Sequence, residues 1–563
     1  MSDKLNAQEL LKEVEKLKQE IKTLKNRKKY GLVWEEKPEQ VVSDCQNKLP
    51  ILKEVKNKAI ITDKNKPVNI LMEGDNYHSL SVLNYTHKEK VDVIYIDPPY
   101  NTGNNDFSYN DAYVDSEDGF RHSKWLSFIQ RRLKLAKNLL RKNGLIFISV
   151  NDIEQANLKI VCDEVFGEKN FLANLVWQNK EGGGSSDSKY FRIKHEYILV
   201  YGGVKDLCEI AGDNISNLER YKQTDCYVKT RGPFYLQKLG MGSIQYSKSL
   251  DYPITTPDGF SVTPKDNNNG KKACWRWSMT KFEWGLKNDF IVIKKDKTDV
   301  WQVYTKQYLN CDNEGSIINR TQRPFGVIDG FSSTQATKEQ SGINMSKFTY
   351  PKPKDLISYL ISRHINTSAI VVDFMAGSGT TGHAVLDLNR IDGGSRKFIL
   401  CTNNENNICE DITYSRIKSV INGYNSLSGE KISGLGGNLK YYKTDFVSTE
   451  HINKISDESK IKLTYQAGEM IALRENTLEE TEKNDWWQIF TDGKKQTAIY
   501  FKEDKTKLQS LVSKLTKTNN KAILYIFSWG KNEYKNEFSE YKNIRIEDIP
   551  EPILEVYKEI NKL

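Results

Sequence analysis

At 563 residues the chain exceeds what one compact core usually holds, and its composition is that of a soluble globular protein. No apolar run reaches the length of a membrane span and the opening Met-Ser-Asp-Lys lacks a signal-peptide core, so neither a membrane nor a secreted location is expected. The net charge of +9, from 83 basic and 74 acidic residues, permits a polyanionic partner without identifying one.

The eight cysteines are scattered, with no Cys-x-x-Cys pair and no histidine at zinc-ligand spacing. Neither a metal site nor a disulfide framework is expected, and a reducing cytoplasm fits this usage best.

Leu10, Val14, Leu17, Ile21 and Leu24 alternate by four and three, which predicts a helical or coiled-coil N-terminus over residues 1–30. From residue 68 the texture becomes strand and helix in alternation. Val68–Leu71 reads as a strand, Gly74-Asp75-Asn76 as a turn, and the next stretch to Leu83 as a helix. Val91–Ile96 is an apolar strand that stops at Asp97. Trp125–Leu140 has helical periodicity ended by Asn143-Gly144, and Leu145–Val150 is a buried strand. Between 176 and 330 the periodicity weakens and Gly, Asn, Thr and aromatics rise; Gly182–Ser186 and Asp266–Gly270 read as loop and turn. Alternation then returns, with a helix at Leu356–Ile365, strands at Ala369–Val372 and Lys397–Leu400, and a helix at Thr380–Leu388. A last α/β unit is expected from 426 to 563.

Two loops carry the chemistry. Asp97-Pro98-Pro99-Tyr100 follows a strand, where open α/β sheets place their ligands. An exocyclic amine of a base is a poor nucleophile because its lone pair is delocalised into the ring. A carboxylate accepting one N–H and a carbonyl accepting the other favour pyramidalisation; Asp97 and the Pro98 carbonyl can supply them. The prolines stiffen the turn, and Tyr100 offers a flat face to a base pulled from the duplex.

The second loop, Asp373-Phe374-Met375-Ala376-Gly377-Ser378-Gly379-Thr380-Thr381, joins a strand to a helix N-terminus. It lacks the full dinucleotide pattern and has no Gly-Lys-Ser/Thr, so an aminoacyl sulfonium cofactor fits better. Glu405, about 25 to 30 positions beyond the glycines, is suited to ribose hydroxyls.

Together and in this order the loops resemble the beta class of DNA amino-methyltransferases over about residues 68–425. The resemblance implies an α/β, Rossmann-like, S-adenosylmethionine-dependent methyltransferase core that is permuted, with the catalytic half first (31–175) and the cofactor half later (331–425). A target-recognition region (176–330) is inserted between them, and a C-terminal α/β domain (426–563) follows. It implies catalytic roles for Asp97, Pro98, Pro99 and Tyr100. It implies cofactor contacts by Asp373, Phe374, Ala376, Gly377, Ser378, Gly379, Thr380, Thr381 and Glu405, with Asp75 and Asn76 near the cofactor adenine. Lys352, in Phe348-x-Tyr-Pro-Lys-Pro353, would help line the methionine pocket.

Tyr30–Glu35, Asp97–Gly103 and Phe398–Asn406 look closest to the Mod subunits of type III restriction–modification systems. That resemblance implies a homodimer reading a specific site in duplex DNA, methylating adenine N6 on one strand, and able to join a helicase–nuclease (Res-like) partner. In the recognition region, Arg220, Lys222, Lys229 and Arg231 interleave with Tyr221, Tyr227 and Phe234, and Trp275-Arg276-Trp277 adds aromatic bulk. Four alternatives stand beside this reading: a stand-alone methyltransferase, cytosine-N4 methylation, methylation of RNA or a protein amide, and a DNA-recognition subunit that chiefly recruits the helicase.

Overall fold

The computed structural model describes residues 34–562 together with Val14 and Lys18, apart from 104–105, 111, 181–189, 242–245, 265–271, 344–347, 427–428, 519, 531–533 and 535–540. Of the expected N-terminal seam only Val14 is among the described residues, helical and exposed like Lys18; the loop at 182–186 and the turn at 266–270 lie outside them too.

Ten segments build the main sheet: β1 (Lys48–Glu54), β2 (Val68–Glu73), β3 (Val91–Ile96), β4 (Leu140–Val150), β5 (Phe171–Gln178), β6 (His195–Gly202), β7 (Val327–Ile328), β8 (Ile370–Asp373), β9 (Lys397–Thr402) and β10 (Asn438–Ser448). They lie in the order β1-β10-β2-β9-β8-β3-β4-β6-β5-β7, and Ile60–Ile61 adds a short strand against β10. The six from β10 to β4 run parallel. β6 turns antiparallel against β4 and β5.

Side chains alternate across this sheet, as strand geometry requires. Ile94, Ile96 and Val372 join one buried cluster with helices α1 (Asn76–Thr86), α2 (Arg121–Leu139) and α3 (Gln155–Cys162). Val93, Tyr95 and Val371 join another with α4 (Lys354–Ile361), α5 (Thr380–Asp392) and α6 (Ser415–Asn422). The result is a three-layer, Rossmann-like α/β core. Each fully buried Val or Ile in it contributes roughly 1.5–3 kcal/mol of burial free energy. β3 and β8, distant in sequence, are neighbours at the sheet's centre, with Val93 opposite Val371 and Ile94 opposite Val372.

Three expected boundaries shift. α2 ends at Leu139 rather than at Asn143-Gly144, because β4 already starts at Leu140 and runs through Gly144. The irregular unit begins at Ala211 rather than 176 and ends at Pro324, because β5, β6 and β7 join the main sheet. The segment after 426 is not detached: β10 pairs in parallel with β2. Beyond it a five-stranded sheet spans Glu479–Ile549, and Ile471, Tyr525, Ile553 and Tyr557 belong to the same buried cluster as Leu80 and Leu83 of α1.

The unit 211–324 has its own core. Trp301–Tyr308 is the middle strand of a three-stranded antiparallel sheet with Phe234–Lys238 and Ile291–Lys295. Phe234, Trp275, Trp277, Phe282, Phe290 and Tyr308 are buried around it. Tyr221 is buried as well, and Arg231 stacks on Tyr227 at 3.8 Å. Most of the aromatic bulk that looked available for base contacts is thus packing, whereas Arg220, Lys222 and Lys229 are exposed.

Candidate active site

Four adjacent strands, β2, β9, β8 and β3, end along one edge of the sheet, and the residues singled out in the sequence leave from those ends. Gly74 N–H donates to the Thr402 carbonyl at 3.0 Å, and Ala376 N–H donates to the Cys401 carbonyl at 3.1 Å. The Asp75 turn, the Glu405 segment and the Asp373 loop are therefore tied together. The Asp97 turn leaves the next strand.

The Asp97 turn is held from several sides. Trp125 of α2 donates its indole N–H to the Pro99 carbonyl at 2.7 Å. Among the described residues nothing donates to the Pro98 carbonyl. Asn101, in the left-handed region with φ 57°, donates to Glu154 at 2.6 Å. Glu154 is buried and also contacts His122 at 2.6 Å and Asn157 at 2.8 Å. Tyr100 donates its hydroxyl to Glu196 of β6 at 2.9 Å, and Asn179 donates to the other Glu196 oxygen at 2.8 Å.

Lys352 completes this cluster. Its ammonium donates to both Asp97 oxygens at 2.8 Å, lies 3.5 Å from Glu196 and sits over the Tyr100 ring at 4.8 Å. The residue expected beside the methionine pocket thus has its charged end on Asp97. Burial pushes the Asp97 carboxyl above its usual range, and Lys352 offsets only part of that. Burial works against the Lys352 ammonium, but Asp97 and Glu196 outweigh it and hold its pKa above the usual lysine range. Burial, Asp97 and Glu196 together push the Tyr100 hydroxyl well up.

The Asp373 loop is wound tightly. Asp373 accepts from Met375 N–H at 3.0 Å and from the Thr381 hydroxyl at 2.5 Å. Gly379 caps α5 in the left-handed region at φ 73°, where a Cβ would come within 3.2 Å of Thr413. Ser378 and Thr380 bond each other at 2.9 Å, and Arg416 of α6 donates to Thr380 at 2.8 Å. Thr413 donates to the Gly377 carbonyl at 2.6 Å. Phe374 and Ala376 are buried in the loop's floor. Asp373 is therefore spent largely on its own loop, leaving backbone groups and the α5 N-terminus to meet a ligand.

At the neighbouring ends, Asp75 caps α1 by accepting from Tyr77 N–H at 2.7 Å. Asn76 accepts from Arg132, a buried side chain that also pairs with Glu39 at 2.6 Å and stacks on Phe128 at 3.8 Å. Glu405 stays exposed at the end of β9.

Sequence reading missed Glu196, Asn179, Asn101 and Glu154. Asn101 stood inside the Asp97–Gly103 text and was the one within reach. Glu196 and Asn179 were hidden because 176–330 was assigned whole to the insert, whereas β5 and β6 bring both to the Asp97 turn.

A family model described as DNA methylase matches residues 91–414, a span that holds both loops. The chain is 32 % identical over 410 residues to the type III restriction–modification enzyme StyLTI Mod subunit of Salmonella typhimurium, covering 66 % of this chain and 58 % of that protein. It is 44 % identical over 419 residues to a probable type III HindVI Mod subunit of Haemophilus influenzae, covering 66 % and 53 %. It is 32 % identical over 406 residues to the type II methyltransferase M.KpnI of Klebsiella pneumoniae, covering 67 % and 93 %. The chain thus spans less than two thirds of the Mod subunits it matches and nearly all of M.KpnI. Because the family match runs over more than half of the sequence and takes in both loops, the chain belongs to the DNA methylase family.

Proposed function

We propose that the protein is a site-specific DNA methyltransferase that moves a methyl group from S-adenosylmethionine to N6 of an adenine flipped out of duplex DNA. One observation carries this reading: β3 and β8 are neighbours, so the Asp97 turn and the Asp373 loop open at the same edge of the sheet.

The donor set suits the cofactor. Backbone of the Asp373 loop and the α5 N-terminus meet its aminoacyl end, Glu405 its ribose, and Asp75 and Asn76 its adenine. Bound there, S-adenosylmethionine supplies an electrophilic methyl group. Asp97 accepts one N–H of the target amine and the Pro98 carbonyl accepts the other, which localises the lone pair. The raised pKa of Asp97 makes it the near acceptor for the proton that methylation releases. Tyr100, held by Glu196, gives the flipped ring a face to stack on.

The likeness to Mod subunits supports a modification role in a type III-like restriction–modification system; the homodimer and the helicase–nuclease partner are part of the proposal and rest on the resemblance of the sequence alone. The near-complete span of M.KpnI supports a second reading, a stand-alone methyltransferase. No helix among the described residues is long and apolar enough to cross a membrane.

Sequencing with modified-base detection of DNA from cells expressing the chain reports base and site together. Nucleoside mass spectrometry then separates N6-methyladenine from N4-methylcytosine. Asp97→Ala should lower methyl transfer by at least about a thousandfold while DNA binding persists, since an acceptor acting in the transition state is lost. Full activity in that variant would refute the mechanism.

A further inference from the structure

If Asp97 receives the target amine, the ammonium already on it needs an explanation. Lys352 donates to both Asp97 oxygens at 2.8 Å, and an ammonium presents a carboxylate with the same N–H chemistry as an exocyclic amine. The lysine therefore takes one acceptor site on each Asp97 oxygen and competes with the substrate's hydrogen for the carboxylate. It cannot simply leave. Asp97 and Glu196 are two carboxylates in one sheltered cluster, and a neutral amine brings no charge to compensate them.

Glu196 offers the way out. Its oxygens are held by two neutral donors, the Tyr100 hydroxyl and the Asn179 amide. Among the described residues its one ion partner is Lys352, at 3.5 Å. A shift of about 0.7 Å would bring the ammonium from that 3.5 Å to the 2.8 Å it keeps to Asp97. The lysine stem is buried, so its head has a short path between two fixed seats.

We propose that Glu196 is a positioning residue, the second seat of the Lys352 ammonium: when the target amine docks on Asp97, the lysine passes to Glu196, freeing an acceptor while the charge stays balanced. No covalent bond changes in this exchange; hydrogen bonds are traded. Glu196 also anchors Tyr100, so the transfer couples stacking of the base to release of its acceptor. This proposal rests on Asp97 being the acceptor for the amine.

The test uses the full chain on duplexes carrying the site found by modified-base sequencing, with 2-aminopurine beside the target adenine to report its unstacking. Wild type, E196Q, K352M and the double variant are compared for fluorescence rise and, on unlabelled duplex, for single-turnover methyl transfer. E196Q strands the lysine on Asp97 and should weaken base capture about tenfold. In the K352M background there is no ammonium to reseat, so E196Q should cost less than about twofold. K352Q takes the place of K352M if the methionine variant does not fold.

Equal losses from E196Q in both backgrounds would overturn the proposal, because Glu196 would then act through Tyr100 or the fold alone. No loss in either background would overturn it as well. A wild-type chain that neither unstacks nor methylates the site would fail earlier, taking down the methyltransferase reading and this inference with it.

Discussion

Asp373 is a carboxyl group folded under its own loop, 2 % exposed, with both oxygens taken by Met375 and Thr381. Burial pushes its pKa up to about 7, the two hydrogen bonds opposing that only in part. A carboxyl whose folded pKa lies above its unfolded value binds its proton more tightly when folded, so stability falls as pH rises from about 4 to about 7. Asparagine keeps an oxygen for Met375 N–H and turns an amide toward the Thr381 hydroxyl, which can accept. Asp373→Asn should therefore unfold at a higher temperature than the parent at about pH 8, and the gap should close near about pH 4. The rise from 3.8 to about 7 corresponds to roughly 4 kcal/mol as an upper figure. Thermal unfolding across this range measures it; a gap that does not change with pH would show that the buried charge is not the destabilising element. The identity of Asp373 was legible in the sequence, from its place between a strand and a glycine loop. Its inward use was not, because a motif fixes which residue is present and leaves open which neighbours claim its oxygens.

The Asp97 turn depends on elements that share no sequence signature with it. α2 brings Trp125 to the Pro99 carbonyl, and Glu154 at the start of α3 grips Asn101, whose backbone sits in the left-handed region. Trp125→Phe removes the indole N–H and three ring atoms from a fully buried side chain, and the turn loses its tie to the helix. It should lower the single-turnover methylation rate about tenfold while changing stability by about 1–3 kcal/mol, because a small misplacement of a reacting group costs rate far more than it costs folding. Rate and thermal unfolding measured on one preparation decide it; a rate loss no larger than the stability loss predicts would put Trp125 back in the core as packing. At this scale the apolar runs Val91–Ile96, Leu145–Val150 and Lys397–Leu400 announced themselves as strands, since burial on both faces leaves continuous hydrophobic text. β10 did not. Its Lys440, Lys443, Thr444 and Asp445 break up the apolar text, and its parallel pairing with Val68–Glu73 depends on a partner far away in the chain. β5 and β6 were obscured for a related reason, being followed by a long excursion that made the whole stretch look irregular.

At the scale of the molecule, the core and the excursion after Ile210 divide cleanly in what they bury. Neither of the two clusters flanking the main sheet contains a residue from 211–324, and the cluster within that unit contains none from outside it. The unit also begins and ends on paired strands: Asp213 lies opposite Gln322 and Asn214 opposite Thr321 in antiparallel register. Partners in such a pair stand about 5 Å apart, so a turn of two to four residues can join Asn214 to Thr321 in place of everything between. Nothing in the Asp97 cluster or the Asp373 loop lies inside the excised stretch, and β5, β6 and β7 retain their pairings. The shortened protein should therefore fold, and it should bind S-adenosylmethionine within about threefold of the parent, because every residue proposed to hold the cofactor lies outside the excised stretch. If the excursion supplies sequence recognition through its exposed Arg220, Lys222 and Lys229, site-specific methylation should fall by more than about a hundredfold, the scale of losing several base or phosphate contacts at once. Calorimetric titration with the cofactor and methylation of duplexes with and without the site separate the two effects. A shortened chain that still methylated its site selectively would place recognition in the core; one that lost cofactor binding as well would show that the two loops need the excursion to hold their geometry.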